Sequence, residues 1–384
     1  MTVAERIDRA GFLLPDYGGR ELGGVLSGAI AAVGAAEVVP GRDAEADRVR
    51  LGIPKAHHVC VALVDGLGLQ NLDARRGHAP FLRSLSSVTA TAGFPSTTAA
   101  SLSLFGTGKT GGQTGMTGYT VRNPKTGKLA NLITWDGAEP AEDWQPQASL
   151  LERAEHAGIT VTTLGKARFA GSGLTHAVLR GGMFIGAERL ADRIDVALGS
   201  MKERGVSYMY WGEVDSSGHE FGWDADQWTA ALEDVDRELA RLAASLPKDA
   251  ALVITADHGM IDVTGAPRWD VAEVAALSEG VHFVAGEPRA LHLYAEEPEA
   301  VAARWQETLG DAGVAFTQAE AIEVGLFGEV RADVRPRIGD VVVAMAGRAT
   351  VVDSRVQSPA SMALIGVHGS LTPQEMEIPV LVTG

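Results

Sequence analysis

The chain has 384 residues, a formal net charge of −16 and 46% hydrophobic residues. This length accommodates one large α/β domain plus a smaller one. The acidic balance argues against a nucleic-acid polymer as partner, because a phosphate backbone attracts a basic protein surface. Small phosphate esters are not excluded, since bound metal ions reverse the local field.

The first 56 residues predict an N-terminal extension that packs on the core, with a short helix over residues 22–33. The apolar run over residues 25–39 is interrupted by Gly and Ser, and charged residues precede it. This pattern is typical neither of a secretory signal nor of a membrane span, so we expect a cytoplasmic protein with no membrane partner. The single cysteine, Cys60, lies in an apolar run and is predicted to be a buried core residue.

Three apolar runs predict buried strands of a parallel sheet, and an Asp-containing motif follows each of them. Residues 59–64 precede Asp65-Gly66, residues 208–214 precede Asp215-Ser216-Ser217-Gly218-His219, and residues 252–255 precede Asp257-His258-Gly259. A fourth motif, His368-Gly369, lies near the C-terminus. Residues just past the carboxyl ends of strands in an open α/β sheet line the ligand crevice, so we expect these motifs to share one rim.

The stretch from Phe94 to Ser101 lies between the first and second of these motifs. Pro95 ends an extended segment, and small hydroxyl residues then lead into an apolar run that predicts a helix. The free N–H groups and the positive dipole end of a helix N-terminus suit an anion such as phosphate. Taken alone, the stretch is more typical of an ordinary helix cap, and the neighbouring Asp/His motifs favour the phosphate site.

The remaining pattern predicts helices that flank the sheet and a separate unit before the C-terminus. Helices are predicted over residues 73–85, 144–157, 188–204 and 226–246, the last with an apolar stripe at three- and four-residue steps. Residues 289–294, 298–313 and 340–346 form a strand–helix–strand pattern, which predicts a small α+β cap over residues 262–366. Residues 379–382 predict a final edge strand, as their Pro indicates.

The order and local form of Asp65, the Thr98 segment, Asp215 with His219, Asp257-His258 and His368-Gly369 resemble the alkaline phosphatase superfamily. The Asp-Ser-Ser-Gly-His and Asp-His-Gly-Met pieces look most like its nucleotide pyrophosphatase/phosphodiesterase (type I phosphodiesterase) branch. The resemblance implies an α/β fold with an alkaline-phosphatase-like core, in which helices flank a mainly parallel central sheet. Residues 57–261 and 367–384 would form this catalytic core, with residues 262–366 as the inserted cap.

The resemblance also implies two divalent metal ions held by seven side chains. One set would be Asp215, His219 and His368, and the other Asp65, Asp257, His258 and the Thr98 oxygen. Asp215 and His219 are expected to meet one ion where the Ser-Ser-Gly turn folds back. Mixed nitrogen and oxygen ligands suit Zn²⁺, with Mn²⁺ as the alternative, better than Mg²⁺ or Ca²⁺.

Thr98 is the predicted nucleophile. Relatives place the nucleophile three residues after the Pro and nine before the Thr of Thr-Gly, and Pro95 and Thr107 fit Thr98 on both counts, with Thr97 as the alternative. The resemblance implies that Thr98 attacks phosphorus to give a phospho-threonine intermediate, and that the Ala99 backbone N–H stabilises a phosphate oxygen. The implied reaction is hydrolysis of a phosphate diester or phosphoanhydride in a small ester or nucleotide.

Two alternatives stay open at this point. Ser101 completes a Thr-Ala-Ala-Ser string similar to the Ser-Ala-Ala-Ser of monoesterase relatives. It is therefore a candidate phosphate contact, and it keeps a phosphomonoesterase, a phosphonate hydrolase or a phosphomutase in view. A metal-bound binding protein without catalysis is the alternative of another class. Tyr119, Trp135 and Trp211 either stack on a nucleotide base or fill the core, and the sequence does not predict the oligomeric state.

Overall fold

The computed structural model describes residues 1–383 of the chain. Its strands, in chain order, are β1 (His58–Val64), β2 (Ser86–Thr91), β3 (Thr120–Arg122), β4 (Leu129–Asn131), β5 (Thr160–Gly165), β6 (Met183–Gly186), β7 (Gly205–Trp211), β8 (Ala250–Thr255), β9 (Ile261–Asp262), β10 (Arg268–Asp270), β11 (Val281–Glu287), β12 (Ala290–Ala295), β13 (Gly313–Thr317), β14 (Val341–Met345), β15 (Thr350–Val352), β16 (Gly366–Val367) and β17 (Glu377–Val382).

Helices connect these strands throughout the chain. They are α1 (Val3–Arg9), α2 (Gly23–Ala32), α3 (Ala44–Arg50), α4 (Leu69–Ala74), α5 (Pro80–Ser84), α6 (Thr98–Thr107), α7 (Gly111–Thr114), α8 (Ala141–Trp144), α9 (Leu150–His156), α10 (Gly173–Val178), α11 (Leu190–Ser200), α12 (Glu213–Phe221), α13 (Asp226–Ala244), α14 (Ala275–Ser278), α15 (Pro298–Leu309), α16 (Gln318–Glu323), α17 (Pro359–Met362) and α18 (Pro373–Met376). Short 3₁₀ segments lie at Ala36–Val38, Arg76–His78, Ala167–Phe169, Gly310–Ala312 and Arg335–Arg337.

The main sheet has seven strands in the order β2-β17-β8-β1-β7-β5-β6. The pairs β8–β1, β1–β7, β7–β5 and β5–β6 are parallel, whereas β17 runs antiparallel to both of its neighbours. Every residue of β1 is buried, as expected for an apolar strand inside a parallel sheet. Cys60 lies in this strand and is fully buried, as the sequence predicts.

The prediction of a final edge strand is wrong, because β17 lies inside the sheet between β2 and β8. Its Pro379 pairs with Thr89 of β2, and pairing with β8 begins only at Val380, which stands opposite Thr255 at the end of β8. The missing N–H of Pro379 therefore falls beyond the end of β8, and the strand tolerates the proline at an interior position.

Two of the predicted helices are interrupted. Residues 73–85 divide into the end of α4, a 3₁₀ turn and α5, because Pro80 begins a new helix and keeps the preceding Ala79 out of the helical conformation. Residues 144–157 divide between α8, which ends at Trp144, and α9, which begins after Ser149. The Ser149 side chain caps α9 by accepting a hydrogen bond from the Glu152 N–H.

Other helices follow their predicted pattern. The stripe of α13 packs Trp228, Leu232, Val235 and Leu239 into the core, with its charged residues on the opposite face. All residues of α2 are buried, so this segment of the N-terminal region contributes to the main hydrophobic core. No helix among residues 1–383 combines the length and the apolar run that a bilayer crossing requires.

A four-stranded antiparallel sheet, in the order β11-β12-β14-β13, lies apart from the main sheet and is called the small sheet below. It has its own hydrophobic cluster, which includes Leu293, Trp305 and Val343. A fully buried ion pair joins it to α18, the helix just before β17, with 2.7 Å between Arg289 Nη2 and Glu375 Oε2. The domain boundaries at residues 56, 261 and 366 remain predictions, and Gly384 lies outside the described residues.

Candidate active site

The predicted ligands converge at the carboxyl ends of three neighbouring strands, β8, β1 and β7. Asp65 follows β1 directly, Asp257 follows shortly after β8, and Asp215 lies in the first turn of α12 behind β7. Gly66, the residue after Asp65, packs directly against Asp215. It has a positive φ of 72°, and a Cβ at this position would lie 3.0 Å from the Asp215 backbone. A glycine is therefore needed for the two motifs to approach so closely.

The Asp215–His219 motif is helical, and the expected fold-back turn does not occur. Both residues lie in α12, where a spacing of four places them on one face. His219 Nε2 is 3.4 Å from Asp215 Oδ2. The glycine between them permits the close packing of the helix, since a Cβ on Gly218 would lie 2.2 Å from the Met260 sulfur. The sequence predicted a turn here, but the whole motif lies within one amphipathic helix.

Two groups of side chains have the geometry to hold a metal ion. Ligand atoms of Asp65, Asp257 and His258 lie within 4.8 Å of one another, and so do those of Asp215, His258 and His368. One oxygen of each carboxylate, namely Asp65 Oδ1, Asp215 Oδ1 and Asp257 Oδ2, is buried without a hydrogen-bond partner. Buried carboxylate oxygens need a partner, so these orphaned atoms fit the divalent cations that the sequence predicts.

The histidine rings are oriented in the way that metal ligands require. The Nδ1 atoms of His219, His258 and His368 lie 2.7, 3.0 and 2.8 Å from the backbone carbonyl oxygens of Gly366, Gly259 and Ser96. Because a carbonyl only accepts, each Nδ1 carries a proton, and in the neutral ring the lone pair is then on Nε2. The rings of His258 and His368 stack with their centroids 3.6 Å apart, which brings the two groups of ligands together.

Thr98 is the first residue of α6, and its hydroxyl faces the metal ligands. Its Oγ1 atom is 3.3 Å from His258 Nε2. The side chain of Thr97 faces Glu287 of the small sheet instead. The geometry therefore favours Thr98 over Thr97 as the residue whose oxygen can share a ligand shell with His258.

Ser96 fastens the nucleophile segment to the loop that carries His368. Its hydroxyl donates to the Ser370 carbonyl at 2.7 Å and accepts from the Gly369 N–H at 3.2 Å. Its backbone N–H donates to the Gly369 carbonyl, and its own carbonyl accepts the His368 Nδ1 proton. Four hydrogen bonds from one residue thus fix the position of His368 relative to Thr98.

The electrostatics of the site favour a bound cation. Burial raises the pKa of Asp65 well above its ordinary value, and the charges of Asp257 and Asp215 raise it further. Burial also raises the pKa of Asp257 to about 7, with Asp215 adding to the rise. The pKa of His368 is lowered well below its ordinary value by burial and by the neighbouring His258 and His219. A divalent cation among these groups would oppose the rise in the pKa of both carboxyl groups and would keep His368 neutral.

Two side chains of the site were not identified from the sequence. Tyr210, near the end of β7, donates its phenolic hydrogen to Asp65 Oδ2. Tyr210 lies one residue before the end of β7, the strand that leads to the Asp215 motif, and this position in the sequence could have identified it. Glu287, at the end of β11, is only 8% exposed, and its Oε1 atom has no hydrogen-bond partner. Nothing local marks Glu287, because only the packing of the small sheet brings it to the site.

The charge of Glu287 is disfavoured in the protein without a ligand. Burial raises the pKa of its carboxyl group well above the ordinary value, a hydrogen bond with the Thr97 side chain opposes this rise, and the charges of Glu375 and Asp215 add to it. Its Oε2 atom lies 3.9 Å from His368 Nδ1. The small sheet thus places a carboxyl group beside the predicted metal ligands.

The sequence also predicted four candidate substrate contacts, namely Ser101 and three aromatic side chains, and the structure places them differently. Ser101 is fully buried with its hydroxyl unpaired, and it lines neither of the cavities described next, so its phosphate contact stays a prediction. Tyr119 is 37% exposed and lines the larger cavity. Trp135 packs edge-to-face on Trp144, and Trp211 lies under the Arg193 guanidinium at 4.7 Å. Neither tryptophan lines the site.

Two cavities meet at Thr98. The larger, of about 570 Å³, lies between the metal-ligand groups and the small sheet, and none of its described lining residues is Lys or Arg. The smaller, of about 330 Å³, has a mainly apolar lining that includes Leu102, Phe169 and Phe184, with Arg168 as a basic lining residue. The nucleophile candidate therefore faces two separate spaces.

Comparison with known proteins identifies the family. The sequence pattern of the family described as type I phosphodiesterase / nucleotide pyrophosphatase matches residues 59–371. The chain belongs to this family. Its members act on phosphoester bonds and depend on metal ions, so the resemblance drawn from the motifs is confirmed at family level.

Solved structures confirm the predicted fold class. Murine ectonucleotide pyrophosphatase / phosphodiesterase 5 superposes with a TM-score of 0.68 and 16% identity over 84% of this chain and 87% of its own. An inactive variant of that protein, solved with AMP, gives the same values. Phosphonoacetate hydrolase from Sinorhizobium meliloti 1021, solved with phosphonoformate, superposes with a TM-score of 0.64 and 18% identity over 86% of this chain and 90% of its own.

Curated relatives match a smaller part of the chain. The phosphopentomutases of two Desulfitobacterium hafniense strains are 26% identical over 175 residues, which is 44% of this chain and 42% of each relative. The match thus spans less than half the length of these relatives.

Proposed function

We propose that this family member hydrolyses small phosphodiesters, with Thr98 as the nucleophile. The observation that carries the proposal is that two cavities, of about 570 and 330 Å³, both reach Thr98. A diester has two substituents on phosphorus, and each needs a space of its own. A monoester has one, and would leave the second cavity without an occupant.

The charges around the site support the same choice. A phosphate monoester carries about −1.5 to −2 charges near neutral pH, whereas a diester carries one. The larger cavity offers Asp215 and Glu287 and no basic lining residue among those described. The larger cavity therefore disfavours the additional charge of a monoester, because none of its described lining residues is an Arg or Lys that could bind it.

The donor set fits two divalent ions, with Asp65, Asp257, His258 and Thr98 at one and Asp215, His219 and His368 at the other. His258 Nε2 lies close enough to serve either group. Zn²⁺ is the proposed metal, and Mn²⁺ the alternative, because both accept imidazole and carboxylate together. Bound metal ions supply the lowered pKa of a coordinated hydroxyl and the stabilisation of oxygen charge during displacement.

The protein's own groups perform the positioning. The Thr98 hydroxyl loses its proton and Oγ1 forms a bond to phosphorus, while the bond to the departing alcohol oxygen breaks and that oxygen takes up a proton. Thr97 makes no side-chain cap at α6, so the Ala99 N–H is free to donate to a phosphate oxygen. A water molecule then breaks the bond between Oγ1 and phosphorus, which releases the monoester of the remaining substituent and restores the Thr98 hydroxyl. The apolar lining of the smaller cavity keeps bulk water from one substituent.

Relatives supply the second candidate. The phosphopentomutases and the phosphonoacetate hydrolase are similar to this chain, and they keep phosphate transfer and phosphonate hydrolysis as alternatives. Ser101, the residue that favoured monoesters in the sequence, is buried away from both cavities. A binding protein without catalysis is disfavoured, because all seven predicted ligands lie at one site.

The test compares bis(p-nitrophenyl) phosphate with p-nitrophenyl phosphate on protein reconstituted with Zn²⁺ or with Mn²⁺. We expect the diester to be hydrolysed with a kcat/KM at least about tenfold above the monoester, since the monoester leaves one cavity empty. Thr98→Ala should abolish turnover, whereas the matched Thr97→Ala variant should retain it. Mass spectrometry of quenched diester reactions should find a p-nitrophenyl phosphoryl group on Thr98, because only one of the two substituents leaves in the first step. Diester turnover that survives Thr98→Ala, or a dominant monoesterase activity, would contradict the proposal.

A further inference from the structure

Glu287 is a buried carboxyl group that the proposed chemistry does not use. It lies at the end of β11, is only 8% exposed, and lines the larger cavity. Its Oε1 atom has no hydrogen-bond partner. Neither predicted metal group includes it. A buried carboxyl oxygen without a hydrogen-bond partner lowers the stability of the fold unless a ligand supplies that partner.

The backbone around Glu287 is built to hold the side chain in this position. Gly286, the preceding residue, exchanges two hydrogen bonds with the Thr120 hydroxyl, at 2.8 and 2.9 Å, which ties β11 to β3. Gly369 lies directly against the carboxyl group, and a Cβ at that glycine would come within 2.7 Å of Glu287 Cδ. The carboxyl group is thus fixed between the small sheet and the His368 loop.

The surroundings of Glu287 determine which ligand group it can accept. No described residue that lines the larger cavity is Lys or Arg, so the protein brings no cation to it there. Asp353, a further carboxylate of the lining, is already paired with Arg355 at 2.6 Å. Tyr119 places an aromatic ring at the same cavity. A phenol ring and a carboxyl group with one unpaired oxygen together attract an alkylammonium group.

We propose that Glu287 is the recognition site for a positively charged amino group on the substrate, so that the preferred substrates are phosphodiesters of amino alcohols. This inference rests on the proposed function. The amino group would donate charge-assisted hydrogen bonds to Glu287, with Tyr119 beside it. An acidic substituent would be repelled by Glu287, and an apolar one would leave Glu287 Oε1 without a hydrogen-bond partner.

The test uses two esters of nearly identical shape, p-nitrophenyl 2-aminoethyl phosphate and p-nitrophenyl propyl phosphate, in which an ammonium group replaces a methyl group. Metal-loaded wild-type protein should prefer the aminoethyl ester by about tenfold or more in kcat/KM, the usual scale for one buried charge pair. Glu287→Gln, which keeps the shape of the side chain, should bring this ratio close to one. Circular dichroism and thermal unfolding check that the variant folds.

A matched control removes the same charge elsewhere. Glu296 lies just after β12, is 88% exposed in its side chain and does not line the larger cavity. Glu296→Gln should therefore keep the wild-type preference, which separates recognition by Glu287 from a change in overall charge. A Glu296→Gln variant that loses the preference equally would overturn the assignment to Glu287.

Calorimetry separates failure of the inference from failure of the proposed function. Phosphoethanolamine should bind the metal-loaded wild-type protein at least about tenfold more tightly than propyl phosphate, and Glu287→Gln should remove the difference. Equal binding of the two would overturn the inference even if both diesters are hydrolysed. Tighter binding of phosphoethanolamine without any diester turnover would uphold recognition by Glu287 and refute the proposed hydrolysis.

Discussion

The two walls of the larger cavity are built in different ways. The wall on the main sheet carries Asp65, Asp215 and Asp257 at the ends of three adjacent strands. The wall on the small sheet is assembled from separate segments near residues 119–133, 284–291 and 353–364. The difference shows that the ligands for reaction are encoded in short motifs, whereas the contacts for substrate choice depend on how distant segments pack.

The walls also differ in charge balance. The carboxylates of the main-sheet wall repel one another, and no Lys or Arg is among the groups that shift the pKa of Asp65 or Asp257, so a bound cation would relieve this repulsion. Behind the small-sheet wall, the buried Arg289 and Glu375 neutralise each other at 2.7 Å. We therefore expect substitutions on the first wall to change metal binding, and substitutions on the second to leave it intact.

The largest expected effect is that of Asp257→Asn. The amide has the shape of the carboxylate but lacks its charge, so the metal group with Asp65 and His258 loses its strongest attraction. Turnover of the diester should fall by about a thousandfold or more, as expected when several kcal/mol of charge stabilisation are lost. Metal content by mass spectrometry should fall below that of the wild type.

The control for this prediction lies on the other wall. Asp353→Asn removes a buried carboxylate that pairs with Arg355, and the protein should retain its full metal content. Equal loss of metal in both variants would mean that the two walls do not differ in the way proposed.

A smaller effect is expected from Ser96→Ala. This change removes the hydroxyl that bonds to Ser370 and Gly369, so His368 loses part of its fixed position relative to Thr98. Loss of such supporting hydrogen bonds typically costs about 10- to 100-fold in metal affinity or activity. Titration of the metal-free variant with Zn²⁺ measures the metal affinity, and diester turnover measures the activity.

Ser103→Ala serves as its matched control. Ser103 is a buried serine of α6 whose hydroxyl bonds to Thr114, outside the site. This variant should keep the Zn²⁺ affinity of the wild type. If both serine variants weaken Zn²⁺ binding alike, the effect of Ser96 is one of general packing.

The sequence predicted the main-sheet wall far better than the small-sheet wall, for a physical reason. A buried strand ends where its apolar run ends, so the position of Asp65 and Asp257 beside their neighbours follows from local pattern and sheet geometry. The edge strand was predicted wrongly from Pro379. This proline lies beyond the end of β8, and the sequence does not show where the pairing between β17 and β8 begins. Glu287 reaches the site through contacts with Gly369 and Thr120, far away in sequence, and no local signal reports them.

The smallest expected effect concerns the stability of the protein with its metal removed. Since burial raises the pKa of Asp257 from 3.8 to about 7, the folded chain binds more protons than the unfolded chain between these values. Stability is therefore lost as the pH rises through this window. Asp257→Asn removes the cost, so in chelator the variant should unfold about 2 °C or more above the wild type at pH 7.5.

Thermal unfolding at pH 4 supplies the decisive comparison, because there the two proteins should unfold at nearly equal temperatures. At pH 4, close to the ordinary pKa of 3.8, the Asp257 carboxyl group is protonated in the folded state and nearly half protonated in the unfolded state, so it contributes little to the difference. An advantage of the variant that is the same at pH 4 and pH 7.5 would show that packing, and not charge, distinguishes it. Addition of Zn²⁺ at pH 7.5 should reverse the order, because the ion binds the folded wild type and turns the repulsion among its carboxylates into attraction.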